Sequence, residues 1–135
     1  VTSDELNDFA ARYAQAWCSQ NPESVAAFFT GKGSLSVNNG PPAVGRAAIA
    51  EVAREFMRDF PDLVVTFDKL EPQADRIAFH WTLTGTHAET GNHVEISGYE
   101  LWKIDDAGLI AESSGHFEAA DYERQVKREA SSKGD

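Results

Sequence analysis

The hydrophobic period changes once along the chain, at Pro61, and this change limits the fold more than any single residue does. Before Pro61, apolar side chains recur at spacings of three and four, first as Leu6, Phe9, Ala10, Tyr13 and Trp17 and again as Ile49, Val52, Ala53, Phe56 and Phe60. After it, residues 63–70, 76–86, 93–104 and 109–117 are rich in β-branched and aromatic side chains. The connections at 71–75, 87–92 and 105–108 are short turn sequences of the kind that join antiparallel neighbours. Helices followed by a meander of strands make an α+β fold.

Local signals set the boundaries. Thr2-Ser3-Asp4-Glu5 matches a capping box at the start of the first helix. Asn21-Pro22 reads as an N-cap and first-turn proline, opening a short helix that holds Val25, Ala26, Phe28 and Phe29 until Gly31 and Gly33 stop it. A brief strand at 34–37 and a turn cluster at 38–42 precede a third helix from about Arg46 to Phe60. Three helices therefore occupy the first half, and a terminal helix from Arg124 frays into a polar end. A single domain is expected over 1–130, with a flexible polar tail at 131–135.

A chain of 135 residues has room for one domain, and 41% hydrophobic with 25% charged residues is an ordinary globular composition. The net charge of −10 would repel a phosphate backbone or an anionic bilayer, so neither nucleic acid nor membrane is an expected partner. Cys18 is the single cysteine, which excludes an internal disulfide. The first residues carry no basic segment followed by an apolar run, and no stretch approaches a membrane span, so a cytoplasmic protein is expected.

Three side chains do not fit a plain core. Alternation along 93–104 puts Glu100 on the face that holds Val94, Ile96, Gly98, Trp102 and Ile104. A carboxylate there must find donors or hold a proton, which suits a general acid or a hydrogen-bond donor to a developing oxyanion. The alternative is a carboxylate at the sheet rim, or one paired with Arg46 or Arg54. His80 lies opposite to Ile77, Phe79, Trp81 and Leu83 on its strand; facing a cavity it could exchange protons near neutrality, with the aromatic face packed on the helices or on a second subunit, and otherwise it is a half-exposed strand residue. Tyr13 sits among the apolar residues of the first helix, so its hydroxyl needs a partner, or its ring serves packing alone.

Other chemistries lack support. His87, His93 and His116 come with no metal-ligand spacing, and there is no glycine-rich phosphate loop or nucleophile elbow. Neither a metal nor a cofactor is expected.

Several strings, in order, resemble the SnoaL-like polyketide cyclase family, within the cone-shaped superfamily named for nuclear transport factor 2 and shared with ketosteroid isomerases. They are Arg12-Tyr13-Ala14-Gln15-Ala16-Trp17, Val25-Ala26-Ala27-Phe28-Phe29, Val44-Gly45-Arg46-Ala47-Ala48-Ile49 and Gly108-Leu109-Ile110-Ala111-Glu112, so that the resemblance covers about residues 4 to 128. It implies a strongly curved antiparallel sheet wrapped around three N-terminal helices, enclosing a deep apolar pocket. It also implies a homodimer through the outer sheet face, with Ile77, Phe79, Trp81 and Leu83 at that interface. Trp17, Phe28, Phe56, Phe60, Trp102 and Phe117 would line or back the pocket, with Ser36, Asn38, Thr82, Ser113 and Gly115 as further ligand contacts.

The resemblance departs at the chemistry. The aspartate of polyketide cyclases falls at Gly115, and the Arg-x-Asp pair of limonene-epoxide hydrolases falls near His80 and Thr82. The oxyanion tyrosine and protonated carboxyl of ketosteroid isomerases correspond to Tyr13 and Glu100. Their base falls near Ser36, with Asn38 two residues on, so His80 would have to substitute. The leading expectation is a cofactor-free acid/base enzyme of isomerase, cyclase or dehydratase type acting on a small apolar carbonyl compound, with Glu100, Tyr13 and His80 as catalytic residues. The alternative is a non-catalytic domain of the same fold that binds a small apolar or aromatic ligand or serves association.

Overall fold

The computed structural model describes residues 2–127. Helix α1 (Ser3–Cys18) begins with a complete capping box: the Glu5 amide donates to Thr2 Oγ1 at 3.1 Å and the Thr2 amide donates to Glu5 Oε1 at 2.8 Å. Caps of this kind stabilise a helix by about 1 kcal/mol. Helix α2 (Pro22–Ala26) is capped by Asn21 Oδ1, which accepts from the Glu23 amide at 3.2 Å. Strands β1 (Phe29–Val37) and β2 (Ala43–Val44) follow, then α3 (Arg46–Asp59), β3 (Val64–Gln73), β4 (Arg76–Thr86), β5 (His93–Ile104), β6 (Ile110–Phe117) and α4 (Ala119–Lys127).

The six strands form one sheet in the order β2-β1-β6-β5-β4-β3. From β3 to β6 it is the antiparallel meander that the turn sequences predict. The sheet as a whole is mixed, because β1 runs parallel to β6 and pairs Ser34 with Glu112 and Val37 with Gly115. Together with the helices this is the α+β arrangement that the resemblance implies.

Four expectations are corrected here. Helix α2 ends at Ala26, and Phe29 is the first residue of a nine-residue strand rather than the end of a helix. Gly31 and Gly33 lie in that strand where its register to β6 shifts, and a Cβ at Gly33 would stand 3.0 Å from the Ile110 carbonyl. The expected terminal helix, α4, starts at Ala119, upstream of the expected Arg124. The proposed tail at 131–135 lies outside the described residues. Finally, Phe79, Trp81 and Leu83 are not on an outer interface: they are buried on the concave face with Val94, Ile96 and Trp102. Bulky apolar surface is driven to the side the helices cover, and β4 supplies its share of that core.

The helices lay their apolar stripes against this concave face. Helix α1 buries Phe9, Ala10, Tyr13, Ala14, Ala16 and Trp17, and α3 buries Ile49, Ala50, Ala53 and Met57. Arg46 anchors the start of α3 by donating from Nε and Nη2 to the Phe29 carbonyl at 3.0 and 2.8 Å. Among the described residues, no helix is long and apolar enough to cross a membrane.

Candidate functional site

The site starts from the misfit on β5. Glu100 is 7% exposed, and the ladders place it between Phe79 on β4 and Gly115 on β6. Its Oε1 accepts three hydrogen bonds: from Ser113 Oγ at 2.7 Å, from Trp102 Nε1 at 3.0 Å and from the Tyr13 hydroxyl at 3.0 Å. Its Oε2 has one described contact, the longer 3.3 Å approach of the same hydroxyl. One oxygen is saturated, and the other retains capacity for a further partner.

Three elements build this arrangement. Trp102 lies two residues along β5 on the same pleat face as Glu100, and the β5–β6 register sets Ser113 opposite Trp102. Tyr13 comes from α1, where its ring is fully buried and meets Trp102 edge-on at 5.2 Å and Phe79 at 5.4 Å. Neither arginine weighed as a partner reaches the carboxyl: Arg46 is held by the Phe29 carbonyl, and Arg54 pairs with Glu51 and Glu23.

Burial and hydrogen bonding act on Glu100 in opposite senses. Burial, the larger effect, pushes its carboxyl above the ordinary glutamate range, while the bonds from Ser113, Trp102 and Tyr13 favour the ionised form. Burial also lifts the Tyr13 hydroxyl well above its ordinary range, and the neighbouring Glu100 charge adds to that. Tyr13 therefore remains a protonated donor, while Glu100 is the group whose proton can be exchanged.

Glu100 opens onto an apolar cavity lined also by Trp17, Leu35, Val37, Val52, Phe56, Val65, Trp81, Leu83, Ile96, Gly115 and Phe117, with about 60 Å³ open to the centre of a water-sized sphere. An apolar wall with few polar groups is the usual form of a small-molecule site.

The expected site residues divide into distinct groups. Glu100, Trp17, Phe56, Gly115 and Phe117 line the cavity, while Tyr13, Trp102 and Ser113 touch Glu100 behind the wall. Phe28 packs on Phe9 and Tyr13, and Phe60 lies against His87 and Tyr122, both outside the lining. Ser36 alternates with the lining residues Leu35 and Val37, and so turns the other way. Asn38 Oδ1 accepts from the Phe117 amide at 2.9 Å and closes the end of the β1–β6 pair. Thr82 bonds to Asp68 and Ser97 on the outer face.

His80 does not reach the cavity. Its Nε2 lies 3.0 Å from Glu71 Oε1, and its ring neighbours Tyr99, its partner across the β4–β5 ladder. The reason is parity: His80 alternates with Phe79 and Trp81, which the core claims. Leu35, Val37, Val52, Val65, Trp81, Leu83 and Ile96 are lining residues not foreseen, although alternation along 34–37 and 76–86 carries the signal for several of them. Among the described residues, no cluster of three or more His, Cys, Asp or Glu side chains could hold a metal.

Solved structures with this architecture are numerous. A protein from Catenulispora acidiphila with a ketosteroid isomerase-like fold, crystallised with trimethylamine, superposes with a TM-score of 0.80 at 16% identity, over 92% of this chain and 95% of that one. A candidate SnoaL-like polyketide cyclase from Jannaschia sp. CCS1 gives 0.74 at 12% identity, over 90% and 94%. SalBIII, an epoxide hydrolase/cyclase-like enzyme of pyran ring formation in the polyether salinomycin, gives 0.75 at 15% identity, over 87% and 94%. No curated protein sequence matches the chain. At such identities the superpositions show the fold alone. The sequence itself goes further, because the family described as SnoaL-like domain matches residues 10–113, and the chain belongs to that family.

Proposed function

We propose that this protein is a cofactor-free acid/base catalyst for a small, largely apolar carbonyl compound, with Glu100 as the group that moves the proton. The observation that carries this reading is the asymmetry of the carboxyl group: Oε1 holds three donors, while Oε2 is left with capacity on a residue that lines the cavity. Donors make the ionised state tolerable, and burial keeps proton affinity high. A carboxyl balanced in this way can both take and return a proton.

The step is an enolisation. Oε2 of ionised Glu100 takes a proton from the carbon next to the ligand carbonyl; the C–H electron pair becomes the carbon–carbon π bond, and the carbonyl π pair moves to oxygen. Returning the proton to another position isomerises the ligand, and attack by the enolate carbon on a second carbonyl cyclises it. Tyr13, Trp102 and Ser113 act through Glu100 and are positioning residues. His80 is not assigned as the base, because it lies on the other face of the sheet.

Binding without turnover is favoured by one observation, the glycine at 115 beside Glu100. A Cβ there would meet Ser36 O at 3.5 Å and Glu100 Cγ at 3.6 Å, so there is ordinary room for a side chain that the chain does not use.

One probe decides between the readings. The α-protons of 1-tetralone in D₂O, followed by NMR, should exchange faster with the protein than in buffer, and Glu100→Gln should return the rate to that of buffer. Exchange that persists in Glu100→Gln overturns the assignment of Glu100. Binding of 1-tetralone with no added exchange establishes the second reading.

A further inference from the structure

We propose that the Trp81 indole N–H is the hydrogen-bond donor that receives the ligand's carbonyl oxygen and stabilises it as negative charge develops. This rests on the acid/base reading of Glu100 and supplies what that reading lacks, a group for the oxygen.

The first observation is an unmet donor. Trp81 is 8% exposed and lines the cavity, and among the described residues its Nε1 is the one buried side-chain nitrogen or oxygen without a hydrogen-bond partner. An indole N–H can only donate, and a buried donor left unpaired carries its full desolvation cost. The contrast with Trp102 is direct. Trp102, on the neighbouring strand, spends its N–H on Glu100 at 3.0 Å. Of the twelve lining residues, the other nine apart from Glu100, Trp17 and Trp81 carry no polar side-chain atom.

The second observation is that the ring is held in place. Trp81 pairs across the β4–β5 ladder with Gly98, and a Cβ at Gly98 would stand 2.7 and 3.0 Å from Cζ2 and Cη2 of the indole. The ring thus occupies the space a side chain at 98 would need. Phe117 closes another side, edge-on at 6.1 Å. A ring seated in this way cannot readily swing its N–H to another acceptor, so the acceptor must come to it.

Placement agrees with the chemistry. The pairs Trp81–Gly98 and Phe79–Glu100 put Trp81 on the diagonal from Glu100, on the same face of the sheet. Diagonal side chains start roughly 7–8 Å apart, a separation that a carbonyl oxygen and its adjacent carbon, with a hydrogen bond at each end, can bridge. The ligand class follows: a neutral ketone or aldehyde on an apolar frame, its oxygen at Trp81 and its enolisable carbon at Glu100. A neutral donor in an apolar wall does not repay the desolvation of a carboxylate ligand.

The test uses 1-tetralone and tetralin, which share a frame and differ in the oxygen. In ¹⁵N-labelled wild-type protein, with the Trp81 indole resonance assigned by its loss in Trp81→Phe, 1-tetralone should move the N–H proton downfield and tetralin should not. Trp81→Phe should weaken 1-tetralone binding about 3- to 10-fold and leave tetralin binding unchanged. An indole resonance that responds alike to both probes overturns the proposal, as does a Trp81→Phe variant that loses both equally. The spectrum of wild-type protein keeps the test decisive if that variant folds poorly. Exchange lost in Glu100→Gln alongside an indifferent Trp81 overturns the donor role alone. A Trp81 shift alongside exchange retained in Glu100→Gln supports the donor role and overturns the acid/base reading.

Discussion

The Tyr13 hydroxyl donates to Glu100 Oε1 at 3.0 Å, joining the first helix to the middle of the sheet across 87 positions of sequence. The contact is buried at both ends and ties an aromatic core residue to the one carboxyl group that lines the cavity. A structural element and a chemical group are thus held by one proton.

Removing that proton should be visible on both counts. Tyr13→Phe takes away a bond that favours ionised Glu100, so the carboxyl should titrate at a higher pH than in wild type. The same change should cost about 1 kcal/mol of stability at neutral pH, the usual worth of a buried hydrogen bond. Carbon-13 NMR of labelled glutamate would read the first effect and urea unfolding the second. A carboxyl that titrates unchanged or lower would show that Tyr13 does not support the ionised form.

Glu100 should also leave a signature in stability against pH. Its carboxyl is raised in the folded protein, so between the unfolded and folded values the native state holds a proton that the unfolded chain has released. Stability from this group is therefore full at acid pH and falls as pH rises to the folded value, with a slope of up to about 1.4 kcal/mol per pH unit. Glu100→Gln cannot ionise. The stability of Glu100→Gln minus that of wild type should consequently grow with pH from the ordinary glutamate range upward, measured by urea unfolding at a series of pH values. A difference that shrinks with pH would mean that the donors, and not burial, dominate.

Two glycines on the same sheet should respond very differently to one methyl group. At Gly98 a Cβ would collide with the His116 carbonyl and stand 2.7 Å from the Trp81 ring, so Gly98→Ala must push strands apart or unseat the indole. Overpacking of that kind costs about 1–3 kcal/mol. At Gly115 the nearest atoms are at 3.5 and 3.6 Å, ordinary contact distances, so Gly115→Ala brings no overpacking and should cost clearly less than Gly98→Ala. The second variant should instead lower affinity for 1-tetralone, because the methyl group enters the cavity beside Glu100. Equal melting temperatures for the two variants would contradict the close seat described for Trp81.

How far the sequence reached follows from what local patterns can encode. The shift of period at Pro61 located the meander, and the carboxylate among Val94, Ile96, Gly98 and Trp102 located Glu100, because both are violations or changes of a short-range period. Tyr13 followed from helical spacing. What Glu100 bonds to depends on register: Ser113 meets it because β5 and β6 align Trp102 with Ser113, a long-range fact with no local trace. The parallel pairing of β1 with β6 is equally non-local, and Gly31 and Gly33, which resemble a helix stop, turn out to sit where that strand shifts register. On β4 the alternation was legible but its direction was not. Only the pairing of Phe79 with Glu100 shows that the aromatic parity faces inward and His80 outward.

That last relationship yields a prediction that separates the two faces. His80 lies beside Glu71 and Tyr99 on the side of the sheet away from the cavity, with 27% of its side chain exposed. If the chemistry belongs to the concave face, His80→Asn should leave the exchange of 1-tetralone α-protons at the wild-type rate while Glu100→Gln removes it. The histidine's pairing with Glu71, whose side chain is half-exposed, is worth at most about 1 kcal/mol, so the variant should also fold and melt close to wild type. Loss of exchange in a folded His80→Asn protein would return the histidine to the mechanism and require the sheet to present its other face to the ligand.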